Sequence, residues 1–447
     1  MDEQAVDVVV VGLGPGGEHA SIKLAGAGLS VVSLDPGLVG GECPYYGCVP
    51  SKMMVAAAHS LAAVRVASEL AGSAEVHPDW SPVAKRVREE ATHDWDDRVA
   101  VERLEKAGAR FVRARGRLAG EGRVEADGTT YVARLGVVVN TGTSPAVPPI
   151  DGLDGTPYWT NRDLVRLTSL PASLVVLGGG TVGVEFGQAL ARFGVEVTLV
   201  EGVDRILPSE EPEASALAAE ALSRDGIRIL TGNDVSRVTH ADGTFSVEAG
   251  DHVVTAERLL VATGRTNNLD DLGLETMGLD PDAQVIETDE RMRAADKLWA
   301  VGDITGKGGY THVSMYQARM AVRDLLGKDG PWADYRAVPR VTFTEPEVAS
   351  VGLTEAQARK EGLDVRIGMS KDLGARGWIS ATDGLIKLVA DGDRLVGGTS
   401  VGPAGGEVLS MISTAIHARV PVTTFLDLHF AYPAYYRAIE TALKDML

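Results

Sequence analysis

Apolar residues in this chain gather into short unbroken runs that stop on glycine or on a carboxylate. Val6–Val11, interrupted only by Asp7, reads as a strand buried on both faces. Gly12-Leu13-Gly14-Pro15-Gly16-Gly17 then turns the chain, Glu18 to Gly28 has helical spacing, and Leu29–Leu34 is a second strand that ends at Asp35. The same order returns later. Leu174–Leu177 is a strand, Gly178-Gly179-Gly180-Thr181-Val182-Gly183 a turn, Val184 to Phe193 a helix, and Val195–Val200 a strand ending at Glu201. Two further matched segments follow, one for each region: Val137–Val139 running into Asn140-Thr141-Gly142, and Leu259–Val261 running into Ala262-Thr263-Gly264-Arg265.

Other stretches have different periods. Ser51–Ala71 and Ser81–Gly108 repeat apolar positions every three or four residues and predict helices, with Gly108 as a C-terminal cap. Arg117–Val132 alternates around Asp127-Gly128, a hairpin signal. Leu298–Val301 is a short strand that ends on Gly302-Asp303, and Ser314–Leu326 is a helix. From about Pro339 onward the pattern predicts a mostly antiparallel sheet, with strands at Val341–Phe343, Asp364–Gly368, Leu385–Ala390 and Arg394–Ser400. Helices at Glu407–His417 and Tyr435–Met446 flank it.

A strand, a G-x-G-x-x-G turn, a helix and a strand ending on a carboxylate form a dinucleotide-binding unit. The glycines permit the turn and close backbone approach, the helix N-terminus meets phosphate, and the carboxylate takes ribose hydroxyls about 20 residues on. One such motif is weak. Two, each in its strand–helix setting, predict two bound dinucleotides, with Gly12, Gly14, Gly17 and Asp35 serving the first and Gly178, Gly180, Gly183 and Glu201 the second.

At 447 residues the chain exceeds a single hydrophobic core, and 45% hydrophobic with 23% charged residues is a globular composition. A net charge of −19 argues against nucleic acid or an anionic membrane as a partner, since both require a basic face. The acidic Met1-Asp2-Glu3-Gln4 is unlike a signal peptide, and no apolar run reaches the ~20 residues of a membrane span. A cytoplasmic location is expected.

In such a compartment a disulfide is more often catalytic than structural. The chain has two cysteines, both within Gly41-Glu42-Cys43-Pro44-Tyr45-Tyr46-Gly47-Cys48-Val49-Pro50-Ser51-Lys52. Thiols this close can close a small ring and pass two electrons. The alternatives are half of a metal site or a buried apolar pair. Zinc takes about four N or S ligands, and His59 alone would not complete the set, so no metal is expected.

Taken in this order, the two glycine motifs, the C-x₄-C pair, the late Gly-Asp and the C-terminal sheet resemble the FAD-dependent pyridine nucleotide–disulfide oxidoreductases of the glutathione reductase and dihydrolipoamide dehydrogenase type. The resemblance covers essentially the whole chain. It implies an α/β fold: two Rossmann-like dinucleotide-binding domains plus a C-terminal α+β dimerisation domain. Expected bounds are 1–150 for the FAD domain, 151–268 for the NAD(P) domain, 269–336 for a return to the FAD domain, and 337–447 for the interface domain of a homodimer.

The resemblance also assigns roles. FAD would lie on Gly12, Gly14, Gly17 and Asp35, with Thr141, Gly142, Gly302 and Asp303 completing its site, Asp303 at the ribityl chain. NAD(P)H would lie on Gly178, Gly180, Gly183 and Glu201, with Gly264 and Arg265 closing that region. Lys52 would pair with Glu185 near the reactive flavin nitrogen. Cys48 would be the thiolate beside the flavin, and Cys43 the thiol that attacks a small-molecule substrate. Glu201 would repel a 2′-phosphate, which favours NADH over NADPH.

The chain departs from that family in its C-terminal motif. Glutathione and lipoamide enzymes carry His-Pro there, with Glu five residues after the His. Here His429-Phe430-Ala431-Tyr432-Pro433 is followed by Arg437, so Tyr432 and Arg437 occupy the dyad positions. Tyrosine, with pKa ≈ 10, is a poor base at neutral pH, and arginine retains its proton. Three readings stand: His429 or the Tyr435/Glu440 pair moves protons from a shifted register; Tyr432 only stabilises an anion; or the tyrosines are interface aromatics. Mercuric reductases also lack the His but use a further C-terminal Cys pair, absent here.

Two smaller differences are Glu42, where the family has Thr, and Asn267, where it has Pro. Glu42 either raises the local thiol pKa by like-charge repulsion or faces solvent. The function expected is an NAD(P)H-dependent disulfide oxidoreductase with an unusual acceptor. The alternatives are a thiol-based reductase of a non-disulfide electrophile and an electron-transfer flavoprotein of diaphorase or quinone type.

Overall fold

Each of the two glycine turns closes a parallel sheet in the computed structural model, which describes residues 2–371, 373–374 and 383–447. The chain divides into two units. The first comprises residues 1–50, 85–145 and 265–334; the second comprises 51–84, 146–264 and 335–447.

In the first unit the strand order is Arg293–Ala295, Leu298–Ala300, Thr129–Val139, Asp2–Val11, Val31–Leu34, Arg110–Val112. The central strands run parallel, with Val8–Val11 against both Val31–Leu34 and Gly136–Val139. Val8, Val9 and Val10 are fully buried, as a strand covered on both faces requires. Arg123–Ala126 adds an antiparallel edge to Thr129–Val139. The turn between them is Asp127-Gly128, with both residues at positive φ, as the dipeptide predicts.

Where one long helix was expected over Ser81–Gly108, the chain instead forms Ser81–Arg86, a π-helical turn at Val87–Ala91, and a separate helix Arg98–Lys106. His93, Asp94 and Trp95 all adopt left-handed backbone, which ends the helix. The Thr92 hydroxyl donates to the carbonyls of Val87 and Arg88, taking up groups that a continuing helix would have used.

The second unit holds the other parallel sheet, ordered Arg228–Thr231, Glu196–Glu201, Ser173–Leu177, Arg258–Val261. It also holds a three-stranded meander, Val235–Ala256, and a five-stranded antiparallel sheet. The order in that last sheet is Pro339–Thr342, Glu347–Gly352, Arg394–Gly402, Leu385–Asp391, Val365–Ser370. Helices Gly405–His417 and Ala438–Met446 cover it through Ile412, Ile416, Ile439 and Leu443. Buried within this unit, Lys387 is 2% exposed and its ammonium contacts Glu211, Glu213 and Glu355, each at 2.9–3.0 Å. A lysine so deeply desolvated keeps its charge only with such partners. Among the described residues no helix is long and apolar enough to cross a membrane.

Candidate active site

The two glycine motifs share one construction. Gly12 and Gly178 adopt φ of +90° and +104°, and a Cβ on either would overlap a backbone carbonyl, that of Asn140 or Ala262. A Cβ on Gly17 or Gly183 would overlap the carbonyl of Gly12 or Gly178, so the third glycine sets how close the helix lies to the turn. The middle glycines, Gly14 and Gly180, are N-cap residues with extended backbone. At Gly180 no atom lies within 4 Å of where a Cβ would be, so the space in front of that helix N-terminus is open.

The carboxylates match as well. Asp35 accepts from the N–H of Leu13 at 2.6 Å and of Gly37 at 2.7 Å. Glu201 accepts from the N–H of Gly179 at 2.7 Å and of Val203 at 3.1 Å. Burial pushes the Asp35 carboxyl above its usual range, opposed by those two N–H groups.

In the first unit the other expected residues assemble around Asn140. Its amide oxygen accepts from Gly17 N–H at 2.8 Å, and its NH₂ donates to the Val301 carbonyl at 2.8 Å. Gly302 N–H donates to buried Gln317, and Thr143 Oγ1 donates to Asp303 at 2.8 Å. Gly142 adopts φ +66° with no atom within 4 Å of a Cβ position. The neighbouring Thr141 hydroxyl is buried with no hydrogen-bond partner. A glycine cradle, a ribose-type carboxylate, a second carboxylate and an orphaned hydroxyl fit FAD; the open N-terminus at Gly180 with Glu201 fits a second dinucleotide.

The cysteine loop packs on this cradle. Gly40 N–H donates to the Leu13 carbonyl at 2.7 Å, and a Cβ on Gly41, at φ +66°, would meet Gly14 Cα at 2.9 Å. Glu42–Tyr45 makes one helical turn, and Gly47 then folds back so that a Cβ there would be 3.6 Å from Cys43 Cα. The segment that broke the expected helix supports the loop: Trp95 Nε1 donates to the Tyr45 carbonyl at 3.1 Å, and Asp97 accepts from Val39 N–H at 2.7 Å.

Cys43 is half-buried and Cys48 exposed. Cys48 is the first residue of the 23-residue helix Cys48–Leu70. Its sulfur lies 3.4 Å from Oγ1 of Thr311, the first residue of a second helix, Thr311–Leu325. The first residues of two helices and a hydroxyl therefore meet at one sulfur, and helix N-termini favour negative charge.

In the second unit, Lys52 on the helix that starts at Cys48 pairs with Glu185 at 2.6 Å. Glu185 is 3% exposed and also accepts from Phe343 N–H at 2.8 Å, and the Lys52 ammonium sits 4.9 Å above the Phe343 ring. Gly264 accepts from Ala146 N–H. Arg265, in the first unit, binds Thr143 through Nε at 2.6 Å and Nη2 at 2.8 Å, and forms an ion pair with Glu42 at 3.2 Å. Glu42 therefore has a cation beside it.

The C-terminal candidates spread out. Tyr432 is 64% exposed and His429 is exposed, whereas Tyr435 and Tyr436 pack against the apolar core beneath the five-stranded antiparallel sheet. Arg437 donates to the Phe430 carbonyl at 2.6 Å, and its guanidinium is 2.9 Å from Glu440 and 5.9 Å from the Tyr432 ring. Lys444 also binds Glu440 at 2.7 Å. The hydrogen bond from Lys444 and the charge of Arg437 hold the Glu440 carboxyl below its usual range, which makes it a weak proton acceptor.

Asn140, Thr143, Thr311, Gln317 and Phe343 were not singled out by the sequence. The one local sign was at Asn140, where the apolar run Val137–Val139 stops on a polar residue just before Thr141-Gly142.

Comparison with known proteins agrees with this architecture along the whole chain. Residues 6–323 match the pyridine nucleotide-disulphide oxidoreductase family, and residues 338–443 match its dimerisation domain. A mercuric reductase of Acidithiobacillus ferrooxidans is 33% identical over 99% of this chain and 83% of its own length. A dihydrolipoyl dehydrogenase of Zymomonas mobilis is 32% identical over 98% of this chain and 97% of its own. The crystal structure of LpdA from Mycobacterium tuberculosis superposes with a TM-score of 0.86, at 27% identity and 100% coverage of both chains. This chain belongs to the pyridine nucleotide-disulphide oxidoreductases, flavoproteins that use FAD and NAD(P)H.

Proposed function

We propose that the chain is a homodimeric enzyme that takes electrons from NADH and delivers them, through Cys43 and Cys48, to a small-molecule acceptor other than lipoamide, glutathione disulfide or mercuric ion. FAD, when bound, supplies the two-electron transfer between nicotinamide and sulfur. The cradle of Gly12, Gly14, Gly17, Asp35, Thr141, Gly142, Gly302 and Asp303 would hold it. Gly178, Gly180, Gly183 and Glu201 would hold the nicotinamide dinucleotide, with Glu201 excluding a 2′-phosphate. In this proposal the FAD domain is 1–150 with 269–336, the NAD(P) domain 151–268 and the interface domain 337–447.

The observation that carries the thiol chemistry is the surroundings of Cys48. Its sulfur lies 3.4 Å from Thr311 Oγ1, at the first residues of two helices, which suits it to the role of the thiolate in this proposal. Cys43 is then the thiol that attacks the acceptor; Cys48 resolves the mixed bond, re-forming the disulfide and releasing the reduced product. Lys52, which remains partly exposed, and buried Glu185 form a 2.6 Å ion pair that ties the two side chains together.

The choice of acceptor rests on the C-terminal motif. Tyr432 and Arg437 supply no base at neutral pH, and a positioned base is worth about 10²–10⁴ in rate. The two relatives named for mercuric and lipoyl activity differ in acceptor, so family membership leaves it open. Assays with lipoamide and glutathione disulfide test the reading directly. Slow turnover with both, alongside rapid NADH oxidation by artificial acceptors, is expected. Rates typical of a dedicated lipoamide or glutathione enzyme would contradict it. Cys43→Ala is expected to abolish turnover with any thiol-reactive acceptor while sparing ferricyanide reduction.

A further inference from the structure

We propose that Arg265 holds Glu42 in an ion pair that sets the nucleophilicity of the adjoining thiol, Cys43, by cancelling the carboxylate's charge. The inference deepens the function proposed above and rests on Cys43 as the thiol that meets the acceptor.

Glu42 is joined to Cys43 by one peptide bond and begins the short turn that carries it. Left alone, a carboxylate at that distance disfavours the thiolate. Its partner is not a mobile surface arginine. The Glu42 and Arg265 side chains are 26% and 31% exposed, and their charged groups are 3.2 Å apart. Arg265 is anchored from behind, with Nε and Nη2 both on Thr143, whose hydroxyl donates onward to Asp303. Antiparallel pairing of Arg265–Asn267 with Thr143–Pro145 fixes the backbone beneath it. Side chain and strand together aim the guanidinium at Glu42.

Other titratable groups near the loop have their own partners. Tyr45 is pushed up to about 12, chiefly by burial and by the charge of Asp97, with Glu18, Arg103 and Asp96 also acting on it. Arg113 binds Asp97 at 2.8 Å. Thr311 lies at Cys48, and His312 follows it on the same helix.

The test is alkylation of the phosphine-reduced holoenzyme by iodoacetamide between about pH 6 and pH 10, which spans a thiol's range. Mass spectrometry reads Cys43 and Cys48 separately. Arg265→Met is expected to move the Cys43 midpoint up by about half a unit to one unit. At pH 7 its rate should fall about two- to threefold, because a roughly three- to tenfold loss of thiolate is partly offset by a more basic, more nucleophilic sulfur. Above the midpoint the order reverses and the variant reacts faster, a crossing that loss of packing alone would not produce. Arg265→Lys keeps the charge and stays near the unmodified protein. Glu42→Gln moves the midpoint down, and the double variant Glu42→Gln/Arg265→Met returns it to within about 0.3 unit.

An unchanged midpoint in Arg265→Met overturns the proposal. So does a double variant displaced as far as Arg265→Met, since the arginine would then act through Thr143 and not through Glu42. Flavin content and melting temperature report folding, and if Arg265→Met loses flavin, Arg265→Gln, which removes the charge and keeps a polar side chain beside Thr143, carries the test: a raised Cys43 midpoint supports the pair, and an unchanged one refutes it. If Cys48 reacts before Cys43 in the unmodified protein, the roles given to the thiols under the proposed function fail, while the Cys43 midpoints still decide the ion pair.

Discussion

Gly180 and Gly183 stand three residues apart in one turn, yet they are glycine for different reasons. A Cβ on Gly183 would overlap the Gly178 carbonyl, whereas a Cβ on Gly180 would enter empty space at a backbone angle any residue tolerates. Gly183→Ala should therefore lower the melting temperature. Gly180→Ala should leave it unchanged and raise KM for NADH about tenfold, roughly 1.4 kcal/mol of binding. Thermal unfolding and steady-state kinetics on both variants check this, and equal KM values for Gly180→Ala and the unmodified chain would remove the dinucleotide from that helix end. These glycines and their carboxylates were legible in the sequence because each motif lies within about 25 residues, inside one strand–turn–helix–strand unit. Asn140 with Gly17, Thr311 with Cys48 and Phe343 with Glu185 join positions far apart in the chain, and no local pattern marks such pairs. The Lys52–Glu185 pairing came from family resemblance alone, since nothing in the sequence between the two residues indicates it.

Among the elements, uniformly apolar strands were the easiest to recognise, and those that mix polar with apolar residues were missed. Glu347–Gly352 and the meander over Val235–Ala256 place polar residues such as Ser350, Arg237 and Glu248 among their apolar ones, which weakens both the continuous and the alternating signal. The helix expected over Ser81–Gly108 failed because its polar positions at His93–Asp97 serve the cysteine loop; helical periodicity does not report a demand from another segment. A prediction at this scale concerns Asp324, near the end of helix Thr311–Leu325. Its carboxylate is 3% exposed and binds Arg291, Arg293 and the Trp299 indole, which tie that helix to the edge strand Arg293–Ala295 and its neighbour Leu298–Ala300. Burial alone would raise its pKa; hydrogen bonds from Arg293 and Trp299, with the Arg293 charge, override it and hold the carboxyl below 3.8. The folded pKa is the lower one, so this stabilisation is present above 3.8 and is lost as pH falls through the folded value. Asp324→Asn should destabilise the protein by about 1.5–3 kcal/mol at pH 7. The difference from the unmodified chain should shrink in acid, as read by urea unfolding at pH 7 and near pH 3; a gap that stays constant with pH would show that the charge is not what matters.

For the whole molecule, the sequence carried the family, the doubled dinucleotide motif and the C-terminal sheet, because each depends on order along the chain. It did not carry the acceptor. Tyr432, Arg437 and Glu440 show why: the arginine and lysine around Glu440 make that corner a charge-paired surface, and the reaction it serves depends on what binds there. The claim under all of these proposals is that Cys48 is the thiolate beside the flavin and Cys43 the thiol that faces the acceptor. Anaerobic reduction of the holoenzyme by two electrons, followed by absorbance, tests it most directly. A long-wavelength band should appear in the unmodified protein, persist in Cys43→Ser and vanish in Cys48→Ser. A band that survives Cys48→Ser unchanged, or that never forms in the unmodified protein, would contradict the account.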